Sequence, residues 1–352
     1  MIKVNLLYNI VNNLVLGKKF IMTTIKEIAE KSGYSSATVS RLLNNDPNLS
    51  ITADTKNKIL ELANKLGYWE THQGKKIKPT IALLYRVNHQ EQLQDEYFIS
   101  LKEKIIETAK SQAIKMEIFE DIDELIKNAS LFQGFLGVGS DEISMNSLKK
   151  LHHALSNGVF IDTNPAPNLF DSIKPNLSLT IKDAIDQLLE AGYKEIGFIG
   201  GLGQKFGHIQ EKDIREVIFR EYSLARRIES APIYVSGPFS VENGYQLGKL
   251  VTKKKLPEAF VIASDTLSVG VLQAFNEKGI SVPRDVAVIS INNSNVAKYV
   301  SPPLTSYNIN QEEMVLRAIS MLTDLIMRPT RPYEEVNINT NLVIRKSFIP
   351  KK

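Results

Sequence analysis

Residues 24–44 read TIKEIAEKSGYSSATVSRLLN, a stretch that predicts two short helices joined by one tight turn. Ile25, Ile28 and Ala29 recur at helical spacing and give the first helix one apolar face. Gly33 supplies a residue that tolerates the positive φ of a sharp turn. Two helices joined in this way are the format of a helix-turn-helix unit.

The second helix of this unit is expected to begin near Ser36 and to present one polar face outward. Val39, Leu42 and Leu43 would face the interior. The positions left on the outer side are Ser36, Ala37, Ser40 and Arg41. Since the second helix of such a unit enters the major groove, this side is the predicted DNA-reading surface. Arg41 is the strongest candidate, because a guanidinium can reach guanine O6 and N7 in bidentate fashion.

The same stretch resembles the reading head of the lactose-repressor family of transcriptional regulators. The shared phrases are TIKEIA at 24–29, Gly33, ATVSR at 37–41, Asn44 and LGY at 66–68, which closes a third helix. The resemblance implies contacts to base edges from Ser36, Ala37 and Arg41. It also implies backbone contacts to DNA from Thr24, Thr38, Ser40, Asn44 and Thr55. A DNA-binding domain is therefore expected over residues 22–68.

Charge is distributed unevenly along the 352 residues. Residues 1–78 carry 12 Lys and Arg against 6 Asp and Glu, whereas the remainder carries 31 against 33. The basic end coincides with the predicted reading head, as expected for a segment that meets phosphates. The length exceeds one ordinary domain. The chain has no cysteine, which excludes disulfides and cysteine-ligated zinc and suits a cytoplasmic protein.

Residues 1–21 precede the motif and lack its pattern. Their apolar run is interrupted by asparagines, is too short for a membrane span and lacks the cleavage site of a secretory signal. Met22 opens MTTIKEIA, which is how members of the resembled family usually begin. We therefore expect translation to start at Met22, or residues 1–21 to form a disordered arm.

Residues 69–79, WETHQGKKIKP, lose the apolar periodicity and are interpreted as a linker. In the resembled family this position usually carries a hinge helix whose leucines wedge into the minor groove. Here no such leucine is present, and Gly74 and Pro79 oppose a full helical turn. Two interpretations stay open: a degenerate hinge whose lysines contact phosphates, and a plain solvated linker.

From Thr80 onward, short apolar runs alternate with longer amphipathic segments, a pattern typical of β-α units in a parallel sheet. The predicted strands are Ile81 to Tyr85, Phe135 to Val138, Val159 to Ile161, Ile196 to Ile199, Ile233 to Val235, Phe260 to Ala263 and Val286 to Ile291. Seven strands over this length predict two similar α/β lobes. The expected bounds are 80–176 with 308–337 and 177–307 with 338–352. Ligands of open α/β sheets bind beyond the carboxyl ends of strands, so the cleft between the lobes is the expected pocket.

The resemblance extends over residues 24–347 and likens the core to the family's effector domain, which is related to periplasmic sugar-binding proteins. The matching phrases are VFID at 159–162, IGFIGG at 196–201, DIR at 213–215, ASD at 263–265, SINN at 290–293 and PPLT at 302–305. Other phrases are most similar to the evolved β-galactosidase repressor type, which implies a galactoside or galactose as effector. The resemblance also implies a homodimer on a palindromic operator, with affinity controlled by sugar. No leucine heptads follow Ser347, so a coiled-coil tetramer is not expected.

The family ligand positions that this sequence matches are Phe98, Asp162, Arg215, Phe239, Ser264 and Asn292. Carboxylate, guanidinium and amide groups suit a sugar because each can form two hydrogen bonds to a pair of hydroxyls. Asp162 and Arg215 are expected from different lobes, so that a bound sugar would join them. Phe239 would offer its ring to the apolar face of a pyranose. Asp265 is expected to cap the following helix rather than to touch ligand.

Enzyme signatures are absent from the sequence. Residues 200–203 are glycine-rich but lack the order of a dinucleotide-binding motif, and the Gly-Lys pair at 248–249 lacks the spacing and the hydroxyl of a P-loop. His152 and His153 point about 100° apart on a helix and cannot bind one metal from one face. Catalysis, a cofactor, a metal and a membrane partner are therefore not expected. Two alternatives stay open: a regulator that responds to a purine or phosphosugar, and a solute receptor without DNA function.

Overall fold

The computed structural model describes residues 23–43, 46, 49–66, 68, 79–87, 96–139, 143–203, 205–206, 209–328 and 331–351. The chain divides into two compact units, Met1–Ile77 with Met327–Thr330 and Lys78–Ile326 with Arg331–Lys352. We refer to the described residues up to Tyr68 as the head and to the second unit as the core. The predicted extension 1–21 and the linker up to residue 78 lie outside the described residues, as do Asn44 and Gly67.

Three helices make up the head: α1 (Ile25–Ser32), α2 (Ser36–Leu43) and α3 (Ala53–Lys65). The Thr24 side chain accepts a hydrogen bond from the Glu27 N–H and caps the start of α1. At its end Gly33 adopts φ 80° and donates its N–H to the Ala29 carbonyl, which is the αL cap that the glycine predicts. The predicted sharp turn before α2 is therefore confirmed.

The head has its own apolar core, built from one face of each helix. Its buried members are Ile28, Ala29, Val39, Leu42, Leu43, Ile59, Leu60, Ala63 and Tyr68. The inward positions predicted for the second helix are thus confirmed. Full burial of an aliphatic side chain contributes about 1.5–3 kcal/mol, so this small cluster is what holds three short helices together. Helices this short would not persist alone in water.

The core alternates strands and helices along most of its length. In chain order its elements are β1 (Thr80–Tyr85), α4 (Glu96–Ser111), β2 (Lys115–Phe119), α5 (Ile122–Lys127), β3 (Gly134–Val138), α6 (Met145–Ala154), β4 (Gly158–Ile161), β5 (Asp171–Pro175), α7 (Leu177–Glu190), β6 (Ile196–Gly200), β7 (Lys205–Phe206), β8 (Ile209–Gln210), α8 (Ile214–Ala225), β9 (Ile233–Val235), α9 (Val241–Val251), β10 (Ala259–Ile262), α10 (Asp265–Glu277), β11 (Ala287–Asn292), α11 (Val296–Tyr299), β12 (Thr305–Asn308), α12 (Gln311–Met327), β13 (Glu335–Ile338) and β14 (Asn341–Val343). A 3-10 turn at Ala129–Leu131 precedes β3.

Two six-stranded sheets organise the core into two lobes. The N-lobe sheet has the order β13-β5-β4-β3-β1-β2, with parallel pairing throughout. The C-lobe sheet has the order β14-β12-β11-β10-β6-β9 and is parallel except for β14 at its edge. Helices cover the faces of parallel sheets, which is why the central strands β3, β6 and β10 are buried along their whole length. The predicted α/β class with two parallel-sheet lobes is confirmed.

The chain passes between the lobes three times: from β5 to α7, from β12 to α12 and from β13 to β14. Polar side chains join these crossings. The Asn176 Nδ2 donates to Asn339 Oδ1 at 3.0 Å, and the hydroxyls of Thr180 and Thr340 lie 2.8 Å apart. Three short connections, of which the first and the third are joined by these bonds, form a hinge about which two lobes can close on a ligand.

All seven predicted strands are present within one residue of their expected ends. The described residues contain seven further strands: β2, β5, β7, β8, β12, β13 and β14. Most of these are short or lie towards a sheet edge, and β5 reads DSIKP and β13 reads EVNI, so neither contains an apolar run. A criterion based on apolar runs misses such strands. Among the described residues, no helix is long and apolar enough to cross a membrane.

Candidate functional site

The outer face of α2 is the first candidate surface, and it carries the side chains predicted to read DNA. Ser36, Ala37 and Arg41 are exposed, and Thr38 and Ser40 are partly exposed. The Arg41 side chain is 46% exposed, and its Nε donates to Asp46 Oδ2 at 2.6 Å. The arrangement gives a short polar ridge with one long cation, which has the width and chemistry that a major groove admits.

Three threonines predicted to meet the DNA backbone take part in hydrogen bonds within the head. Thr24 caps α1, and the Thr38 hydroxyl lies 2.9 Å from that of Ser35. Thr55 accepts a hydrogen bond from Thr52 at 2.9 Å and donates to Tyr34 at 3.4 Å. Each bond fixes a hydroxyl at a helix start, where phosphates are also favoured. The roles of these residues on DNA stay predictions, and Asn44 lies outside the described residues.

The second candidate site is a polar cleft between the lobes, with a volume of about 340 Å³. Its lining comes from the first three turns of α4, from the end of β11 with the segment that follows it, and from the β12–α12 crossing. The lining residues are Glu96, Tyr97, Ser100, Lys104, Asn292, Asn293, Ser294, Asn295, Asn308, Ile309, Asn310, Gln311 and Glu312. Of the six predicted effector residues only Asn292 is in this set. The other five lie outside its lining and require separate description.

Arg215 is held in a fixed orientation by α8 and its preceding residue. Asp213 caps α8 and binds the Arg215 guanidinium in bidentate fashion, with Nε–Oδ1 at 2.7 Å and Nη2–Oδ2 at 2.8 Å. The Arg215 Nη1 donates to the Ala263 carbonyl at 2.8 Å, and its side chain is 13% exposed. Burial alone would raise the pKa of Asp213, but the charge and hydrogen bonds of Arg215 outweigh it and lower that pKa.

The Phe239 ring packs directly beneath this guanidinium, whose central carbon lies 4.4 Å from the ring centroid. The ring also contacts the Gly201 backbone, since a Cβ placed there would lie 2.8 Å from two of its carbons. One partner of the ring is therefore Arg215, and stacking of a pyranose against Phe239 stays a prediction. A cation over an aromatic face is attracted by the ring quadrupole, which further orients the arginine.

Asp162 follows β4 and adopts φ 76°, a left-handed conformation uncommon for a non-glycine residue. Its Oδ1 accepts a hydrogen bond from the Tyr97 hydroxyl at 2.8 Å. Burial raises the pKa of Asp162; the Tyr97 hydrogen bond and the charge of Arg215 offset part of that rise. Because Tyr97 also lines the cleft, it connects the predicted carboxylate to that space.

Phe98 is half-buried and packs against the apolar core at the start of α4. Its ring makes an edge-on contact with Tyr97, with centroids 5.2 Å apart, and its carbonyl accepts a hydrogen bond from the Tyr85 hydroxyl. Phe98 therefore helps to hold the Tyr97 ring in place. Direct contact of Phe98 with an effector stays a prediction.

The expected capping role of Asp265 is wrong, because its neighbour Ser264 has that role. The Ser264 hydroxyl accepts from the Leu267 N–H at 3.2 Å and is the N-cap of α10. Asp265 is fully buried as the first helical residue, and its carboxylate accepts from the Ser294 N–H at 2.7 Å and the Ser306 hydroxyl at 2.7 Å. Ser264 is 1% exposed, so its predicted effector contact would require the site to open.

The segment after β11 is fixed by this buried carboxylate. Asn292 and Asn293 adopt φ 107° and 54°, and both line the cleft. The Asn293 N–H donates to the Ser306 hydroxyl at 3.0 Å, and its Oδ1 accepts from Arg345 Nη2 at 2.6 Å. Side-chain bonds therefore over-determine an unusual backbone, as is typical of ligand-binding segments.

Sequence reasoning missed two residues that shape the cleft, Tyr97 and Gln311. The Gln311 Nε2 donates to the Tyr97 carbonyl at 2.9 Å across 214 positions of the chain. Asn295 also reaches across the cleft and donates to Glu96 at 3.3 Å. The aromatic pair at 97–98 was a visible signal for Tyr97, whereas no local pattern marks Gln311. Among the described residues, no group of three acidic or histidine side chains could hold a metal ion.

Comparison with known families gives two matches that together span most of the chain. Residues 24–70 match the model of bacterial regulatory proteins of the lacI family. Residues 185–348 match the periplasmic binding protein-like domain. The first match covers the head, and the second begins within α7 and covers most of the C-lobe together with α12 and β13.

Similar proteins cover nearly the full length. The chain is 65% identical over 334 residues to the HTH-type transcriptional regulator LacR of Lactobacillus helveticus, covering 94% of this chain and 100% of that protein. It is 39% identical to the regulator GanR of Bacillus subtilis (strain 168), covering 93% of this chain and 100% of the relative. Among solved structures, the Lac repressor dimer bound to operator and the anti-inducer ONPF aligns with TM-score 0.64 at 18% identity, covering 93% of this chain and 99% of that one.

Proposed function

The chain belongs to the lacI family of bacterial regulatory proteins, and from this we propose that it represses transcription by binding an operator through α2 and releases it when a small sugar binds between the lobes. It is a sugar-responsive transcriptional regulator and not an enzyme. The sugar that we propose is a galactoside or galactose. The observation that carries the proposal is the pairing of a basic helix-turn-helix head with a polar, amide-lined cleft in a two-lobed core.

The operator contact is supported by the geometry of α2. Its inward face packs in the apolar core of the head, and Ser36, Ala37 and Arg41 on its outward face are exposed. Arg41 offers the bidentate group that guanine prefers, and Ala37 offers a methyl that can contact thymine. We propose Ser36, Ala37 and Arg41 as base-contacting residues and Thr24, Thr38, Ser40, Asn44 and Thr55 as contacts to the DNA backbone.

A neutral sugar suits the chemistry of the cleft. Amide groups from Asn292, Asn293, Asn308 and Gln311 can both donate and accept, which matches hydroxyls that do the same. A phosphosugar would need uncompensated cations, whereas Lys104 shares the cleft with Glu96 and Glu312. The balance of charges therefore favours an uncharged, hydroxyl-rich ligand over a phosphosugar.

Asp162 and Arg215 extend this chemistry beyond the cleft lining. One follows an N-lobe strand and the other begins a C-lobe helix, and their charges interact. Asp162 would accept a hydrogen bond from a sugar hydroxyl, and Arg215 would donate one to a ring oxygen or to another hydroxyl. The bound sugar would thereby connect the lobes. We propose these two residues, with Phe98, Phe239, Ser264 and Asn292, as the effector-binding set.

The choice of a galactoside is supported by the relatives. Regulators called LacR, GanR, MelR and GalR are similar to this chain at 31–65% identity. Regulators called PurR match at 25–27% identity, which favours a sugar over a purine. A regulator solved with cellobiose and another solved with lactose share the fold at TM-scores of 0.64.

Release of DNA would follow from differential binding of the sugar to two lobe arrangements. A ligand shifts an equilibrium only by its difference in affinity for the two states, typically 1–3 kcal/mol per coupled site. In a homodimer on a palindromic operator, a change in lobe closure would alter the spacing of the two heads. The hinge at the three crossings is the element that would carry the change.

Calorimetry on the full chain with galactose, lactose, adenine and galactose 6-phosphate tests the effector. We expect heat of binding with galactose or lactose and none with the other two. Arg215→Ala and Asp162→Ala should abolish that heat, because each removes a bidentate group, while operator binding persists. The matched control is Arg220→Ala, which removes an exposed arginine from the same helix and should leave binding unchanged.

Binding of adenine or of the phosphosugar, with no response to either neutral sugar, would contradict the galactoside and establish a regulator with another effector. A normal sugar response in Arg215→Ala or Asp162→Ala would remove that residue from the effector set. Absence of any preference for the promoter region of its own gene over random duplex would contradict the repressor itself.

A further inference from the structure

Asp46 lies immediately beyond α2, and three hydrogen bonds fix its position. Its N–H donates to the Arg41 carbonyl at 2.9 Å, and its carbonyl accepts from the Leu49 N–H at 3.1 Å. Its side-chain Oδ2 accepts from the Arg41 Nε at 2.6 Å. The residue is therefore bonded to the same arginine through both its backbone and its side chain.

Contacts within the folded head fix the position of the Asp46 backbone and so restrict where its carboxylate can lie. Leu49 packs against the apolar core of the head, so the bond from its N–H anchors Asp46 to that core. The bond to the Arg41 carbonyl ties the same residue to the last turn of α2. An anchored acceptor restricts a long side chain that would otherwise sample many rotamers.

The bond to Asp46 uses the Nε edge of the guanidinium. The opposite edge of an arginine, formed by its two terminal amino groups, is then directed away from the carboxylate. The Arg41 side chain is 46% exposed, which leaves part of it accessible to a ligand. A bidentate contact to guanine O6 and N7 needs two N–H groups in one plane.

We infer that Asp46 determines the sequence specificity of the head by positioning Arg41, holding the guanidinium edge towards a base and away from the phosphates. The inference rests on the proposed role of α2 as the reading helix. Asp46 is a positioning residue and makes no contact with the base read by Arg41. It would act through orientation and through charge.

The charge contribution follows from the pairing. An unpaired arginine at the groove edge gains from any phosphate, and such contacts are independent of sequence. A carboxylate at its Nε cancels that attraction, because the pair is neutral and the carboxylate repels phosphates. What remains for Arg41 is the hydrogen-bonded contact to a base edge, which depends on sequence.

The substitution Asp46→Asn tests the inference in the full-length chain. A preferred site is first selected from random duplex with the unaltered protein, and dissociation constants are then measured for that site and for random duplex. The ratio of the constant for random duplex to the constant for the preferred site measures specificity. We expect this ratio to fall about 3- to 10-fold, the order of one charge-assisted contact. Most of the loss should come from tighter binding to random duplex and from tolerance at a single base pair.

Glu30→Gln is the matched control, because it removes one exposed carboxylate from α1 of the same head. It should tighten binding to both duplexes alike and leave their ratio unchanged. Exposed ion pairs contribute little to stability, so the thermal unfolding midpoint of both variants should stay close to that of the unaltered chain. A fall in the ratio for Asp46→Asn alone supports the inference.

Arg41→Ala, alone and combined with Asp46→Asn, separates the proposed reading role of Arg41 from the positioning role of Asp46. If Arg41→Ala removes the preference and Asp46→Asn does not change the ratio further in its presence, the coupling that positioning requires is present. If Arg41→Ala leaves the ratio unchanged, the proposed reading role of Arg41 fails and the inference fails with it. If Arg41→Ala lowers the ratio but Asp46→Asn behaves like Glu30→Gln, only the positioning role is overturned.

Discussion

Two carboxylates on either side of the lobe boundary have pKa values shifted in opposite directions. The charge and bidentate hydrogen bonds of Arg215 overcome the effect of burial on Asp213 and lower its pKa. Asp162 is also buried, and one hydrogen bond from Tyr97 with a more distant arginine does not overcome that burial, so its pKa is raised. The difference between a direct ion pair and a neighbouring charge thus decides which carboxylate first takes up a proton as the pH falls.

The raised pKa of Asp162 predicts that sugar affinity falls on acidification while the fold is intact. A carboxylate accepts hydroxyl protons with both oxygens, and protonation converts one oxygen into a donor. The affinity should therefore decline as the pH falls through a value above 3.8, the ordinary aspartate pKa. The measurement is the dissociation constant by calorimetry between pH 7 and pH 4.5, with circular dichroism to follow the fold.

Asp162→Asn is the control for this pH dependence. The amide cannot titrate, and the lowered pKa of Asp213 keeps the Arg215 pair ionised across the same range. Its sugar affinity should be weaker but flat with pH. A decline in Asp162→Asn equal to that of the unaltered chain would assign the effect to another group.

At the scale of elements, α9 and α10 pack closely because glycines lie at their contact. A Cβ at Gly270 would lie 2.0 Å from the Val241 carbonyl oxygen and 2.4 Å from the Tyr245 nitrogen. A Cβ at Gly244 would lie 2.1 Å from the Leu267 carbonyl oxygen. The obstructing atoms belong to backbone and cannot rotate away. Since α10 begins with Ser264 and Asp265, this contact also positions the serine cap and the carboxylate that holds the cleft segment.

Gly270→Ala should therefore destabilise the core. Overpacking costs about 1–3 kcal/mol, and clashes with backbone place this substitution at the upper end or beyond. The measurement is the free energy of unfolding by urea, together with sugar affinity, which should fall because the start of α10 shifts. Gln273→Ala, on the exposed side of the same helix, should stay within about 0.5 kcal/mol of the unaltered chain.

Retention of full stability by Gly270→Ala would show that the two helices separate at no cost, and the close contact would then not fix the position of α10. A loss of stability in Gln273→Ala of similar size would instead place the sensitivity in the helix as a whole. The two variants therefore distinguish an effect of the close α9–α10 contact from a general effect of substitutions in α10.

For the whole molecule, charge separates the parts that meet DNA and sugar. Residues 1–78 carry an excess of 6 positive charges, whereas the rest of the chain carries an excess of 2 negative charges. The proposed operator contact therefore lies at the positively charged end, and the proposed sugar site lies in the part of the chain with a small negative excess. The core has its own two sheets and hinge, so it can change shape without unfolding the head.

This separation predicts a strong and local salt dependence of DNA binding. The logarithm of the operator association constant should fall linearly with the logarithm of salt concentration, by about 0.9 per phosphate contact. Arg215→Ala should leave that slope unchanged, because its charge lies in the core and is paired with Asp213. The measurement is a titration of operator binding over a range of about 50 to 300 mM salt. An affinity that does not respond to salt would contradict binding through the basic head.

The sequence by itself determined the features that depend on near neighbours. The inward face of α2, the αL turn at Gly33 and the seven apolar strands all follow from periodicity or from one residue type. The resemblance in the head and core was equally visible, because the family phrases are contiguous. Local patterns of this kind survive folding because the same residues make the contacts that the pattern implies.

Only the tertiary structure decided features that join distant parts of the chain. The polar strands β5 and β13 exist because each pairs with a neighbour. Tyr97 meets Asp162 across 65 positions and Gln311 across 214. Hydrogen bonds between side chains depend on orientation and on distances of about 3 Å, and folding sets both only when separate segments meet.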